Sequence, residues 1–233
     1  MNGNANVGDG VNVDLDVGSG DVGVGVTRGS RIGDAAPGET EAENRATLSV
    51  GMAVTLGALT MTFAAVLLAY AIVRAQAPAW PPPGERGPPP IWPWPIGATV
   101  VALAGSVAMF MAERRGLPQP TPTPTLAPSA ALTRALIGAA AAGGTFIGIQ
   151  TTAWIWLTRA GIHPDSGIVA SVIYALTLFH ALHALAALVA LTPLLMRAAR
   201  RRPIPRSALV AVSSFWHLVT IVWIVVFLAV FVA

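Results

Sequence analysis

With 54% of its 233 residues hydrophobic and only 11% charged, the chain has more apolar side chain than a soluble domain of this size buries, which excludes an ordinary globular enzyme and points to a membrane. Its 14 basic residues, all arginine, exceed 11 acids to leave a net charge of +3; their uneven placement between loops means that the sequence pI near 10.5 reports topology, and nucleic acid is a poor partner. With no cysteine, disulfides and thiolate metal sites are removed.

Residues 1–45 are low in complexity and rich in Gly and Val, and they hold eight of the eleven acids against three arginines. The segment therefore carries −5 and the rest of the chain +8. This composition predicts a disordered cytoplasmic tail. A calcium-binding glycine–aspartate repeat would need a nine-residue period that GDGVNVDLDVGSGDVGVGV lacks. A secretory signal would need a basic leader before a short apolar core.

Five segments follow that lack Asp, Glu, Lys and Arg: roughly 46–73, 96–112, 135–157, 168–196 and 208–233. A hydrocarbon core of about 30 Å takes about 20 apolar residues in a helix, and lipid demands that each span satisfy its own backbone. The alternating pattern of a membrane barrel is absent. The expected fold is all-α, a polytopic membrane domain over 46–233 made of a bundle of five transmembrane helices.

The first loop, PAWPPPGERGPPPIWPWP, is half proline and is expected to run as a stiff polyproline II-like cap. Trp92 and Trp94 at the entrance of the second span suit an interfacial belt. The second loop, LPQPTPTPTLAPS, reads as a spacer. The tail, second loop and fourth loop together hold 11 of the 14 arginines, so the positive-inside rule puts the N-terminus inside and the C-terminus outside. In the third span Gly138 and Ala142, then Gly144 and Gly148, recur at four-residue spacing, which allows close helix approach.

The fourth span carries FHALHAL with His180 and His183 at i, i+3, on one face, and the fifth carries His217 in FWH. Ionisable groups within spans face a protein interior or a cavity. Three imidazoles without a carboxylate make a poor metal site. Two readings stay open: bis-histidine haem ligation by His180 or His183 with His217, as in a haem b membrane-anchor electron carrier, and neutral imidazoles bonding across helices. The opposite directions of the last two helices bring His183 and His217 to similar depth, and a hydrogen bond between them is expected.

These motifs carry a resemblance. FHALHALAAL, preceded by SGIVASVIYALT and followed about thirty residues later by FWHLVTIVWIVVFL, resembles subunit III of haem–copper cytochrome c and quinol oxidases. That family reads TGFHGLHVxxG and YWHFVDVVWLFLF there. Thr177, Phe179, His180, Leu182, His183, Trp216, His217, Val222 and Trp223 match, as do Gln150 in FIGIQTTAW, Trp80, Pro81 and Pro82 in the first loop, and Phe63, Ala69 and Tyr70 in the first span. The likeness covers roughly residues 48–233 and is to the five-helix bacterial form.

The resemblance implies a non-catalytic accessory subunit of a respiratory terminal oxidase in a bacterial inner membrane, with no catalytic, metal or cofactor-binding residue of its own. Haem and copper are then expected in the partners, a catalytic subunit I and a copper-binding subunit II, and phospholipid is expected to bind. The subunit would support stability and proton uptake during aerobic electron transport. Gln150, Thr177, His180, His183, Trp216 and His217 become candidates for polar contacts between helices. The chain departs from the family where Leu59 and Ala153 replace glutamates, Thr220 replaces an aspartate, and Leu178 and Ala181 replace glycines. The small subunit associated with nitric oxide reductases is the alternative assembly.

Overall fold

A computed structural model describes the backbone of residues 4–7, 11–18, 21–28, 37–85, 93–116 and 125–232, and the side chains of Thr47 and of residues from Val50 onward within those ranges. The chain divides into two compact units, Met1–Val50 and Gly51–Ala233.

In the first unit β1 (Asn4–Val7), β2 (Val11–Gly18) and β3 (Asp21–Arg28) pair antiparallel in that order. The registers run from Val7 opposite Val11 and from Gly18 opposite Asp21. VNVDLDV alternates branched apolar and short polar residues, the two-residue period of a strand. The side chains of residues 1–46 lie outside the described residues, and the disordered cytoplasmic tail stays an expectation. The helix α1 (Pro37–Gln76) also starts here, before the expected span at 46, because Pro suits the opening of a helix.

The second unit contains the rest of α1 with α2 (Pro93–Gly116), α3 (Ala130–Arg159), α4 (Ile168–Ala199) and α5 (Arg206–Phe227), the last continuing as a π-helical turn over Leu228–Val232. All five helices are long and apolar enough to cross a membrane. The helix α2 begins three residues before the expected span, at Pro93. Pro93 and Pro95 lie in its first turn, where a backbone N–H has no helical acceptor in any case, so the end of the proline-rich loop joins the helix.

Four helices close a ring, with α2 on α3, α3 on α4, α4 on α5 and α5 back on α2. Small residues set the closest approach. A Cβ on Gly105 of α2 would lie 3.1 Å from the Ala142 methyl, and one on Gly138 would lie 3.7 Å from that of Ala108. At Gly143 a Cβ would lie 2.7 Å from Cη2 of Trp216 and 3.0 Å from Cγ of Leu188. Gly138 and Ala142 thus serve the expected close packing. Gly144 and Gly148 do not, for they are exposed with nothing within 4 Å. The helix turns Gly143 inward instead and Gly144 outward, 100° away.

Around the ring the apolar core falls into clusters. Met109, Leu136, Leu191 and Leu209 fill the half nearest the arginine-rich loops. There β4 (Thr125–Leu126) pairs with β5 (Ile204–Pro205) and ties the α2–α3 connection to the α4–α5 connection, with Ile204 fully buried. The helix α4 ends in a left-handed turn at Arg201 (φ 52°), where Arg202 N–H reaches Arg197 C=O at 2.9 Å and Arg201 N–H reaches Ala198 C=O at 3.1 Å, the six-to-one and five-to-two pair that closes helix C-termini. At the other end Leu157, Ile162, Val169 and Ile173 pack with Trp80 and Trp94.

The helix α1 stands farther off and reaches the ring by side chains, Leu59 and Phe63 meeting Leu176, Val222 and Val226. The loop behind it supplies a second attachment. Glu85 accepts the N–H of Ile168 at 3.0 Å and of Val169 at 3.1 Å, capping an α4 whose own N-cap, Gly167, has no side chain to do so. Gly167 sits at φ 145°, and a Cβ there would lie 2.5 Å from Glu85 Cδ, so both the conformation and the space require glycine.

Two outcomes follow from these contacts. Gly143→Leu overpacks the Trp216 contact and is expected to cost about 1–3 kcal/mol, read as a lowered unfolding midpoint in detergent, whereas Gly144→Leu leaves the midpoint unchanged. Glu85→Ala removes a cap worth about 1 kcal/mol, and amide hydrogen exchange at Ile168 and Val169 accelerates while that at Leu191 does not.

Candidate interhelical polar site

Among the described residues the spans hold three cross-helix side-chain pairs and a ring cluster, and Tyr174 Oη on α4 also donates to Trp154 C=O on α3 at 3.4 Å and to Ile162 C=O at 3.0 Å. Trp154 Nε1–H on α3 donates to Thr177 Oγ1 on α4 at 3.0 Å, and Trp223 Nε1–H on α5 donates to Thr99 Oγ1 on α2 at 3.0 Å. Ser106 Oγ on α2 and His217 Nδ1 on α5 share a short hydrogen bond. In each case a long ring reaches a short hydroxyl on the neighbouring helix. The threonine hydroxyls return their own protons to the backbone one turn earlier, Thr177 to Ile173 C=O at 2.6 Å and Thr99 to Pro95 C=O at 2.8 Å. A threonine so arranged is a net acceptor, which is what an indole N–H needs.

His180, 2% exposed, lies among aromatic rings from three other helices. Its ring centroid is 5.5 Å from Phe146 on α3, 5.2 Å from Trp223 on α5 and 6.1 Å from Phe63 on α1. His183, one turn on, is half-buried; Nδ1–H donates to Phe179 C=O of its own helix at 2.7 Å, and its ring meets Phe63 edge-on at 5.3 Å. The expected bond between His183 and His217 does not form. The helical rotation between His180 and His183 turns the latter toward α1, while His217 turns toward α2.

Gln150 on α3 is buried beside Trp94, Ala153, Trp154 and Thr177. Trp216 is buried against Gly105 and Gly143, so it joins α5 to both α2 and α3 by shape. Thr220 is buried and donates to Trp216 C=O at 3.1 Å. Leu59 is buried among apolar neighbours and Ala153 is buried beside Gln150 and Thr177, and of the two glycine replacements Ala181 is buried and Leu178 is exposed. Among the described residues no three of His, Cys, Asp and Glu gather closely enough to hold a metal ion.

The sequence reading missed Thr99, Ser106 and Trp154. The first two are seven residues apart and share one face of α2, and they meet Trp223 and His217, six apart on antiparallel α5. Hydroxyls recurring at two-turn spacing in an otherwise apolar span were the available signal.

A ring of apolar helices whose buried hydroxyls and rings join helix to helix defines a multi-pass membrane protein. No family model matches the chain. It is 30% identical to a probable cytochrome c oxidase subunit 3 of Nocardia farcinica over 79% of this chain and 87% of the relative. To the protein of the same description from Mycobacterium leprae it is 30% identical over 86% and 95%, and to cytochrome c oxidase subunit 3 of Synechocystis 27% identical over 78% and 73%. The chain belongs to the cytochrome c oxidase subunit 3 family.

The α2–α5 bond is open to a double-mutant cycle. Ser106→Ala and His217→Leu are each expected to lower stability, with a coupling energy of about 0.6 kcal/mol and an upper bound of about 1.7 kcal/mol, the scale of hydrogen bonds between membrane helices. Additive losses in the unfolding midpoints would mean that the two residues act independently.

Proposed function

We propose that the chain is a non-catalytic accessory subunit of an aerobic respiratory terminal oxidase in a bacterial plasma membrane. It packs on a haem- and copper-bearing catalytic subunit I, next to a copper-binding subunit II, with phospholipid at its surface, and it helps maintain the stability and proton supply of that centre during turnover. Family membership supports the assembly.

The observation that carries the non-catalytic part is the use of the imidazoles. His217 is bonded to Ser106, His183 to its own helix, and His180 is enclosed by Phe146, Trp223 and Phe63. The cavity beside His180 measures about 30 Å³, whereas small-molecule and cofactor sites occupy about 300–1,000 Å³; the residues do not fit a haem held by His180 or His183 with His217. The arginines flanking the described helices support an orientation with the N-terminus inside. Arg114, Arg115, Arg134 and Arg197 lie at the helix ends that flank the two connections tied together by β4 and β5, and Arg200–Arg202 lie within the second of them, at one end of the bundle.

Mild detergent extraction tests the assembly. A tagged chain is expected to bring down a large subunit with the optical spectrum of haem and with bound copper. Recovery of non-haem iron with haem but no copper would instead assign it to a nitric oxide reductase, and a reducible Soret band in the chain purified alone would make it a haem carrier.

A further inference from the structure

Among the described residues, Gln150, His180 and Ser213 are buried polar side chains that the cross-helix bonding does not use, and the first two border cavities. Gln150 is 6% exposed, and its amide has no hydrogen-bond partner among the described residues. It borders a cavity of about 20 Å³ with Thr177, Trp154 and Trp94. The His180 ring borders the second cavity, about 30 Å³, with Thr220, Phe146 and Trp216, while its Nδ1 is unpartnered and closed off from that space. We propose that each cavity is an internal hydration site, one water-sized ligand held by the Gln150 amide and another by the His180 imidazole.

The chemistry of the two walls selects water. A primary amide presents two donors and an acceptor, and a neutral imidazole presents one of each. The hydroxyl across each cavity is a net acceptor: Thr220 gives its proton to Trp216 C=O and Thr177 gives its own to Ile173 C=O. A ligand that both donates and accepts satisfies either pair. Water does so with two to four partners, and cavities of about 30 and 20 Å³ exceed the roughly 10–15 Å³ of probe-occupied space that one water needs. A dissolved apolar gas or the end of an acyl chain would leave amide and imidazole unpaired in lipid-like surroundings, the arrangement that buried polar groups avoid. Between the two cavities stand Trp223, which lines the Gln150 cavity, and Phe146, which lines that of His180, packed edge to face with centroids 4.9 Å apart. The sites are therefore separate, without a continuous file of water.

The test is water-edited solid-state NMR on the full chain, ¹⁵N-labelled at histidine and glutamine and reconstituted in lipid bilayers. His163, in the exposed α3–α4 connection, is the surface control. Magnetisation from water is expected to reach the Gln150 side chain and the His180 ring at rates within about threefold of His163. Ala184→Leu, which fills the His180 cavity, should abolish transfer at His180 alone, and Ala153→Leu should abolish it at Gln150 alone. Retained transfer at the untouched site establishes that each variant is folded. Dry signals at both residues in the wild-type chain, with His163 wet, overturn the proposal. So does transfer that survives cavity filling, or a shift of the same signals under xenon without any contact to water.

Discussion

Trp216 wedged against Gly105 and Gly143 is the contact on which the ring depends. In lipid the helices gain nothing from leaving water, so their association rests on close packing and on hydrogen bonds between them. An indole filling the space opened by two glycines joins three helices at one point, with α5 lying against α2 and α3 together. Once α2 and α5 are held at that distance, Thr99 and Ser106 come within reach of Trp223 and His217. The small residues between α2 and α3 and the hydroxyl bonds between α2 and α5 are thus parts of one arrangement.

The polar chemistry of the spans is frugal. Each indole or imidazole that crosses between helices ends on a hydroxyl, and the threonine hydroxyls then return to their own backbone. No charge is needed anywhere in this scheme. That is consistent with the replacement of the family's buried acids: Leu59 packs with Phe63, Leu176 and Val222, Ala153 borders the Gln150 cavity, and Thr220 bonds to its own helix. The surroundings of these positions are accordingly neutral, and a carboxylate restored at Leu59 would enter an apolar cluster without a counter-charge.

Much of the fold was legible because absence of charge over twenty residues is a strong signal, and all five spans lie where that signal put them. Boundaries were less legible, since proline reads as a helix breaker although Pro37 and Pro93 each begin a helix. At the polar site the residue types were readable and the partners were not. His180, His183 and His217 stand out in apolar runs, but which helix each faces depends on rotation angles that one-residue differences alter, as Gly143 and Gly144 also demonstrate. Ser106 and Thr99 escaped notice because a lone hydroxyl in a span ordinarily bonds to its own backbone.

The loose seating of α1 bears on how the chain is made. This helix leaves the ribosome before α4 and α5, against which Leu59 and Phe63 pack, exist. Its span is suited to that interval, because Thr55, Thr60 and Thr62 bond to the carbonyls of Gly51, Leu56 and Ala58 at 2.8 Å each and leave no hydroxyl seeking a neighbour. The segment can wait alone in the bilayer until Phe63 finds Phe179 and the histidines of α4. Glu85 reaches its place only when the first turn of α4 has formed, so the earliest helix to be inserted is among the last to be secured.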